Sequence, residues 1–174
     1  MSVILATVLV AGCGVSDYGA LAGVHFTDKV AATGLETTPV LGARAGADLA
    51  GCLDFPGRLE VHGRVEPGLA ETSGDVSVND LTFAAPVLLG VRWPARSEDN
   101  GIELFALVGP ELRYEIVSTR ILDDTSRDGF FRIAFLAQPG IGYRLGTLRF
   151  ALLGTVRLED ALDLGSILAV DFVL

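Results

Sequence analysis

The apolar stretches of this chain alternate with polar residues, many of them charged, and a period of two belongs to strands with one greasy face and one ionic face. From Leu59 to Leu69, the residues Leu59, Val61, Val65 and Leu69 point one way while Glu60, His62, Arg64 and Glu66 point the other. The pattern returns at Leu104–Ile116, where Glu103, Glu111, Arg113 and Glu115 share a face. It returns again at Phe131–Leu145 with Arg132, Gln138 and Arg144, and at Leu148–Leu158 with Arg149, Thr155 and Arg157. Which face looks into the closed sheet decides the solvent outside it: if the greasy face looks out, that solvent is lipid.

A chain of 174 residues is one domain with room for a full core. Half of it is hydrophobic and its mean hydropathy is +0.48, high for a soluble domain. After the N-terminus no apolar run approaches the roughly 20 residues of a membrane helix. Two options remain, a very apolar soluble core or a membrane β-barrel. The net charge of −9 argues against nucleic acid as a partner. Twelve of the thirteen basic residues are Arg. Guanidinium is planar, weakly hydrated and bidentate, which suits ion pairs facing a narrow lumen; biased codon usage would give the same composition.

The first sixteen residues read as a signal-like or lipobox-like segment ahead of a barrel domain at 17–174. Val3–Ala11 is an apolar run followed by small residues, although Met1-Ser2 carries no basic charge. Val10-Ala11-Gly12-Cys13 has the form of a lipobox. The expected mature chain has lost this segment and contains no disulfide, leaving Cys52 alone. Were the segment retained, Cys13 and Cys52 would share a rim and could close a loop of about 40 residues.

Eight strands are expected: Tyr18–Thr27, Pro39–Ala50, Leu59–Ala70, Leu81–Trp93, Ile102–Val117, Phe130–Leu145, Leu148–Leu158 and Ser166–Leu174. Nearly all reach the 9–11 residues or so that a tilted membrane strand needs. The connections Asp28–Thr38, Glu71–Asp80, Thr119–Gly129 and Glu159–Gly165 read as longer or more acidic loops on one side. Gly51–Arg58, Pro94–Gly101 and the tight Gly146-Thr147 turn lie on the other. Pro67, Pro86, Pro110 and Pro139 fall inside strands, where bulges or kinks are expected.

By parity Arg44, Asp48, Glu60, His62, Arg64, Glu66, Arg92, Glu103, Glu111, Arg113, Glu115, Arg132, Arg144, Arg149, Arg157 and Asp171 share the polar side. An eight-stranded barrel is only wide enough for side chains to fill it, so these charges should pair and block a wide pore. A narrow ion or proton path is the functional alternative. His25 and His62 also face inward, without the converging ligands of a metal site. No G-x-S-x-G elbow appears, and Gly140-Ile141-Gly142 does not continue into a dinucleotide fingerprint. No catalytic residue, metal or cofactor is expected. Asp28, Glu36, Glu71, Asp75, Asp80, Asp123, Asp124, Asp128, Asp160 and Asp163 give the longer loops an acidic surface, read as solvated. Tyr18, Trp93 and Tyr143 would mark one membrane interface and Tyr114 the other.

Three stretches, Ala85-Pro86-Val87-Leu88-Leu89-Gly90-Val91-Arg92-Trp93, Leu107-Val108-Gly109-Pro110-Glu111-Leu112-Arg113-Tyr114 and Pro139-Gly140-Ile141-Gly142-Tyr143-Arg144, resemble the small bacterial outer-membrane β-barrel families of opacity-protein and porin-family type. The resemblance runs from Tyr18 to Leu174. It implies an eight-stranded barrel in the outer membrane, with lipid and the barrel-assembly machinery as partners, and no catalytic residues. Such barrels usually end in an aromatic residue; this chain ends Asp171-Phe172-Val173-Leu174, which shifts or removes that signal.

The resulting expectation is an all-β, antiparallel, up-and-down transmembrane barrel of eight strands with a structural or surface-interaction role. Its lumen charge network comprises Arg44, Glu60, His62, Arg64, Glu66, Glu111, Arg113, Arg132, Arg144, Arg149 and Arg157. Val61, Val65, Leu104, Leu112, Ile133, Phe135, Phe150 and Leu152 should face outward. The rival is a soluble lipocalin-like barrel with the faces inverted and a small apolar ligand inside, although the Gly-x-Trp common near the start of lipocalins is missing. A lipid A-modifying hydrolase is a third class.

Overall fold

The computed structural model describes residues 13–27, 36–53, 57–68, 71–73, 76–93, 100–122, 124–159 and 162–174. Their strands are β1 (Asp17–Thr27), β2 (Glu36–Asp48), β3 (Arg58–Pro67), β4 (Glu71–Ser73), β5 (Val76–Trp93), β6 (Asn100–Ile121), β7 (Asp124–Leu145), β8 (Leu148–Leu158) and β9 (Leu162–Val173). Each pairs antiparallel with its neighbours in the order β3-β2-β1-β9-β8-β7-β6-β5-β4, and β3 pairs with β5 to close the sheet. β3 and β4 lie in succession along the same partner, β5, so the closed barrel has eight staves. Closure leaves no edge and satisfies the backbone within the sheet, as a hydrocarbon surrounding requires.

One rim carries the starts of β1, β3, β6 and β8 and the ends of β2, β5, β7 and β9. The tight turn between β7 and β8 lies here, with Leu145 opposite Leu148 and Gly146 at φ +59°, a conformation that favours glycine. At the opposite rim two expected loops are strand instead. The ladder of β6 and β7 runs on to Ile121 opposite Asp124, so residues 119–121 and 124–129 form a paired ribbon where a loop was expected. The run Ile116-Val117-Ser118-Thr119 is rich in β-branched residues, which favours extended chain. Residues 124–133 are exposed on both faces, so the ribbon stands clear of the barrel. Likewise β4 (Glu71–Ser73) and the start of β5 at Val76 stand where a loop was expected. Of the acidic positions on this side, Asp28, Asp75, Asp123 and Asp160 lie outside the described residues.

The strand prolines act differently from one another. At Pro86, Pro110 and Pro139 two successive pairings are skipped and the ladder resumes in the same register, so the expected bulges are absent. A missing N–H removes bonds locally without adding a residue. Pro67 does coincide with a register change: it lies opposite Leu81, whereas Glu71 lies opposite Val78, one residue out of step.

A second correction concerns the cysteines. Cys13 and Cys52 form a disulfide with Cα atoms 5.2 Å apart, where none was expected. Gly14, at φ +79°, turns the chain ahead of β1, and the 3-10 turn Leu49–Gly51 carries Cys52 back toward the same rim. A sulfur held in this bond is not available for lipidation.

The faces divide as the alternation demands. Val65, Leu104, Leu112, Ile133, Phe135, Phe150 and Leu152 are exposed on the outer wall, and Val61 is half-buried there. Tyr18, Trp93, Tyr143, Phe150 and Phe172 ring the wall near the terminal rim, with Tyr18 stacked on Phe172 at 5.7 Å. Phe83, Tyr114 and Phe131 lie toward the other rim, Tyr114 and Phe131 having ring centroids 4.7 Å apart. Tyr143 and Phe131 are twelve residues apart on β7. With a rise of about 3.3 Å and a tilt of about 40°, that spans about 30 Å along the axis, the thickness of a bilayer core.

The exterior position Leu152 lies mid-strand on β8. Leu152→Arg is expected to cost about 2–4 kcal/mol, the range for a cation near the bilayer midplane of such barrels. Urea titration of the protein refolded into lipid vesicles measures it; an unchanged midpoint would contradict the assignment of this wall to lipid.

Candidate functional site

The lumen holds the chain's chemistry, and strand parity places it there. Along β8 the inward residues are Arg149, Ala151, Leu153, Thr155 and Arg157; along β6 they are Glu103, Phe105, Leu107, Gly109, Glu111 and Arg113. These two strands each contribute a charge near the terminal rim, apolar bulk at mid-height and a charge toward the far rim. The result is two ionic layers with an apolar layer between them.

The layer at the terminal rim is built from Asp17, Arg44, Asp48, Arg58, Glu60, Arg92, Glu103, Arg149 and Asp171. Arg44 grips Asp171 through two nitrogens, at 2.8 Å and 2.5 Å, and reaches Glu60 at 3.2 Å. Arg149 lies 2.9 Å from Asp171, 2.8 Å from Asp17 and 3.4 Å from Glu103. Arg58 bonds Asp17 and approaches Glu60 at 2.6 Å and Asp48 at 3.2 Å. Arg92 pairs with Asp48 at 2.7 Å. His62 sits beside this layer, its Nε2 3.0 Å from a Glu60 oxygen. A side chain at Gly46 would collide with the Arg58 guanidinium, so this glycine gives the network its room.

The far layer gathers Arg64, Glu66, Glu111, Arg113, Arg157, Glu159 and Asp163. Arg157 bridges Glu66 at 2.7 Å and Glu111 at 2.9 Å, and lies 3.6 Å from Asp163. Arg64 meets Glu111 at 2.5 Å. Arg113, nearer the rim, bonds Glu159 and stands 3.7 Å from Glu66. His25 Nδ1 lies 3.5 Å from Glu66. Each arginine meets two or more carboxylates in most of these contacts, the arrangement that planar guanidinium favours and that repays the removal of both charges from water.

Between the layers lie Leu21, Val40, Leu88, Phe105, Leu107, Leu136, Leu153 and Ile167, all buried. Phe105 joins the two environments, with the Arg149 guanidinium 5.2 Å from its ring centre. β3 alone, among the strands with described side chains, presents an unbroken polar inward row, Arg58, Glu60, His62, Arg64 and Glu66.

Of the eleven expected network residues, Arg44, Glu60, His62, Arg64, Glu66, Glu111, Arg149 and Arg157 are buried in the lumen. Arg113 is half-buried at its mouth. Arg132 departs from the expectation of a buried lumen position. Arg132 stands in the exposed ribbon near Glu115 and Glu159, both at 3.3 Å, because β7 continues beyond the barrel there. Arg144 donates to the Gly146 carbonyl at 2.8 Å at the tight turn. Sequence reasoning missed Asp17 and Arg58 because the strands were started one residue late; extending the parity of Gly19 and Glu60 by one step finds both. The apolar mid-layer was missed because only the polar members of each inward face were tracked. Among the described residues no group of three His, Cys, Asp or Glu is placed to hold a metal.

No protein-family model matches the sequence, and no curated protein matches it. Solved structures do. Ail, the attachment invasion locus protein of Yersinia pestis, is 9% identical with a TM-score of 0.57, over 90% of this chain and 94% of that one. Neisserial surface protein A is 12% identical with a TM-score of 0.57, over 92% of this chain and 99% of that one. Both are small bacterial outer-membrane barrels of eight strands. At such identities the likeness is one of fold, and it is the membrane-barrel fold that the inverted faces require.

Arg149→Met would take from Glu103 its arginine and from Asp17 and Asp171 one arginine each, all in the buried layer at the terminal rim. The expected loss is about 3–5 kcal/mol, as for breaking a buried pair by removing one partner. Arg132→Met, in the exposed ribbon, should cost under about 1 kcal/mol. Denaturant unfolding in detergent micelles compares them; equal losses would mean the lumen contacts contribute no more than surface pairs.

Proposed function

We propose that this chain is a bacterial outer-membrane barrel with a structural or surface-interaction role and no wide pore. One observation carries the reading: the protein is inverted relative to a soluble one, with arginines and carboxylates buried inside and leucine, valine and phenylalanine exposed outside. A lipocalin-like barrel needs the reverse, an apolar cavity within and charges in water. The outer wall is suited to contact lipid, and the barrel-assembly machinery would insert it.

The closed lumen is the finer part of the proposal. An ion crossing this barrel would meet a paired ionic layer, then the shell of Leu88, Leu107, Leu136 and Leu153, then a second paired layer. Eight strands leave no water-filled channel beside filled side chains. The activity is therefore assigned to surfaces. The β6–β7 ribbon rises at the rim away from the termini, the side on which such barrels carry their longer extracellular connections. It exposes Ile121, Leu122 and Phe130 beside Arg120, Arg127, Asp124 and Asp128, a mixed apolar and charged surface suited to contact with another molecule. Two proteins of the same fold, one an attachment protein and one a surface protein, support that direction. Among the described residues no set points to an enzymatic reaction.

Fractionation tests the membrane assignment. The expressed protein should require detergent and migrate differently on gels when unheated, whereas free solubility would overturn the proposal. Planar-bilayer recording tests the plug: small or sporadic currents are expected, and large, stable porin-like conductance would contradict it.

A further inference from the structure

At the far rim the sheet of β5, β6 and β7 continues past the last ring of aromatic residues, and strand parity sorts its charges. Four outward residues lie side by side across the wall there, Val65, Phe83, Tyr114 and Phe131. Beyond them the outward rows are Leu81, Ile116 and Gly129, then Asn79, Ser118 and Arg127, then Ser77, Arg120 and Thr125. Among the described residues of this extension, Arg120 and Arg127 are the only charges on the outward face. The opposite face of the same sheet carries Asp80, Glu115, Asp124, Asp128 and Arg132. Two cations thus stand apart from the acids, in a chain of net charge −9. Both are exposed. Arg120 donates to the Leu122 carbonyl at 3.1 Å, and neither arginine meets a carboxylate among the described residues.

On the membrane side of the aromatic row the wall is hollow. Gly63 and Ala85 place little bulk there, and with Leu112 and the aromatic row they frame a groove of about 410 Å³. A Cβ added at Gly63 would meet nothing within 4 Å. Tyr114 leans the other way, its hydroxyl lying over Gly129 in the row toward Arg127. Arg127 is four residues beyond Phe131 on β7. With a rise of about 3.3 Å and a tilt of about 40°, that is about 10 Å farther out along the axis. A long guanidinium side chain reaches back from there to the headgroup layer.

We propose that this face holds one anionic, phosphate-bearing lipid of the outer leaflet, with an acyl chain in the groove and its phosphate oxygens on Arg127 and Arg120. An amphiphile meets both halves of the surface. A soluble anion makes no use of the groove, and a lipid without net charge leaves the arginines unmatched. Guanidinium binds phosphate oxygens in bidentate fashion, and the acids of the extension point to its other face. The site rests on the reading of this wall as lipid-facing.

The full chain, inserted into phosphatidylcholine vesicles containing a minor share of bisphosphorylated lipid A and then released into detergent, tests this by native mass spectrometry. One retained lipid A per chain is expected, in preference to phosphatidylcholine. Arg120→Gln and Arg127→Gln should each weaken retention about fivefold, the effect of one cation near a membrane surface. Arg132→Gln, on the opposite face, should leave it unchanged. Gly63→Leu, which puts a side chain into the groove, should release the lipid although both arginines remain. Inorganic phosphate should not displace it. Equal retention of the two lipids, indifference to the Arg120 and Arg127 or the Gly63 substitutions, or displacement by inorganic phosphate would overturn the proposal. Heat-modifiable migration keeps the two readings apart. A chain that inserts yet shows no preference overturns the lipid site alone, whereas a chain that never inserts overturns the membrane assignment and the site with it.

Discussion

Everything in this barrel depends on pairing charges inside a closed sheet. Once eight strands close, the lumen has space for side chains and little else, and any unpaired ion there costs several kcal/mol. The solution is arginine. Arg44, Arg58, Arg149 and Arg157 each contact carboxylates from more than one strand, so each ion pair also fastens strands that are distant in sequence. Arg44 on β2 holds Asp171 on β9 across β1, at a place where β1 contributes Gly19 and leaves the way open. The apolar mid-layer is the complement. Charges concentrate near the two rims, while leucines and Phe105 fill the middle.

The fold was largely legible because strand alternation leaves few solutions once the chain is too apolar for water and too interrupted for helices. Outward residues such as Leu104, Leu152 and Phe150 followed from parity alone. So did buried Glu60, Arg64 and Glu111. Parity does not say how far a strand continues beyond the membrane, and Arg132 was misplaced for that reason: it keeps inward parity on a part of β7 that no longer encloses anything. The ribbon at Thr119–Gly129 hid behind its polar residues, which read as loop although Ile116, Val117 and Thr119 favour extension. The prolines suggested bulges, but three of them cost only local pairings. The disulfide was a question of chain direction, decided by Gly14, and nothing in the alternation reports on that.

Function follows from what this architecture leaves available. On the reading proposed above, its interior is committed to its own stability, its wall to lipid, and its terminal rim to turns and a disulfide. What remains free is the opposite rim, where the β6–β7 ribbon carries aromatic and charged residues into solvent.

The central claim is the inversion of faces, and site-directed spin labelling in lipid bilayers tests it most directly. Cys13 and Cys52 are bonded to each other, so an introduced thiol provides a single site. Nitroxides at Leu104, Val108, Leu152 and Leu168 should collide freely with dissolved oxygen and be shielded from a water-soluble nickel chelate, most strongly near mid-wall. Ready access of the chelate at these outward positions would show that the wall faces water and that the barrel is not a membrane protein.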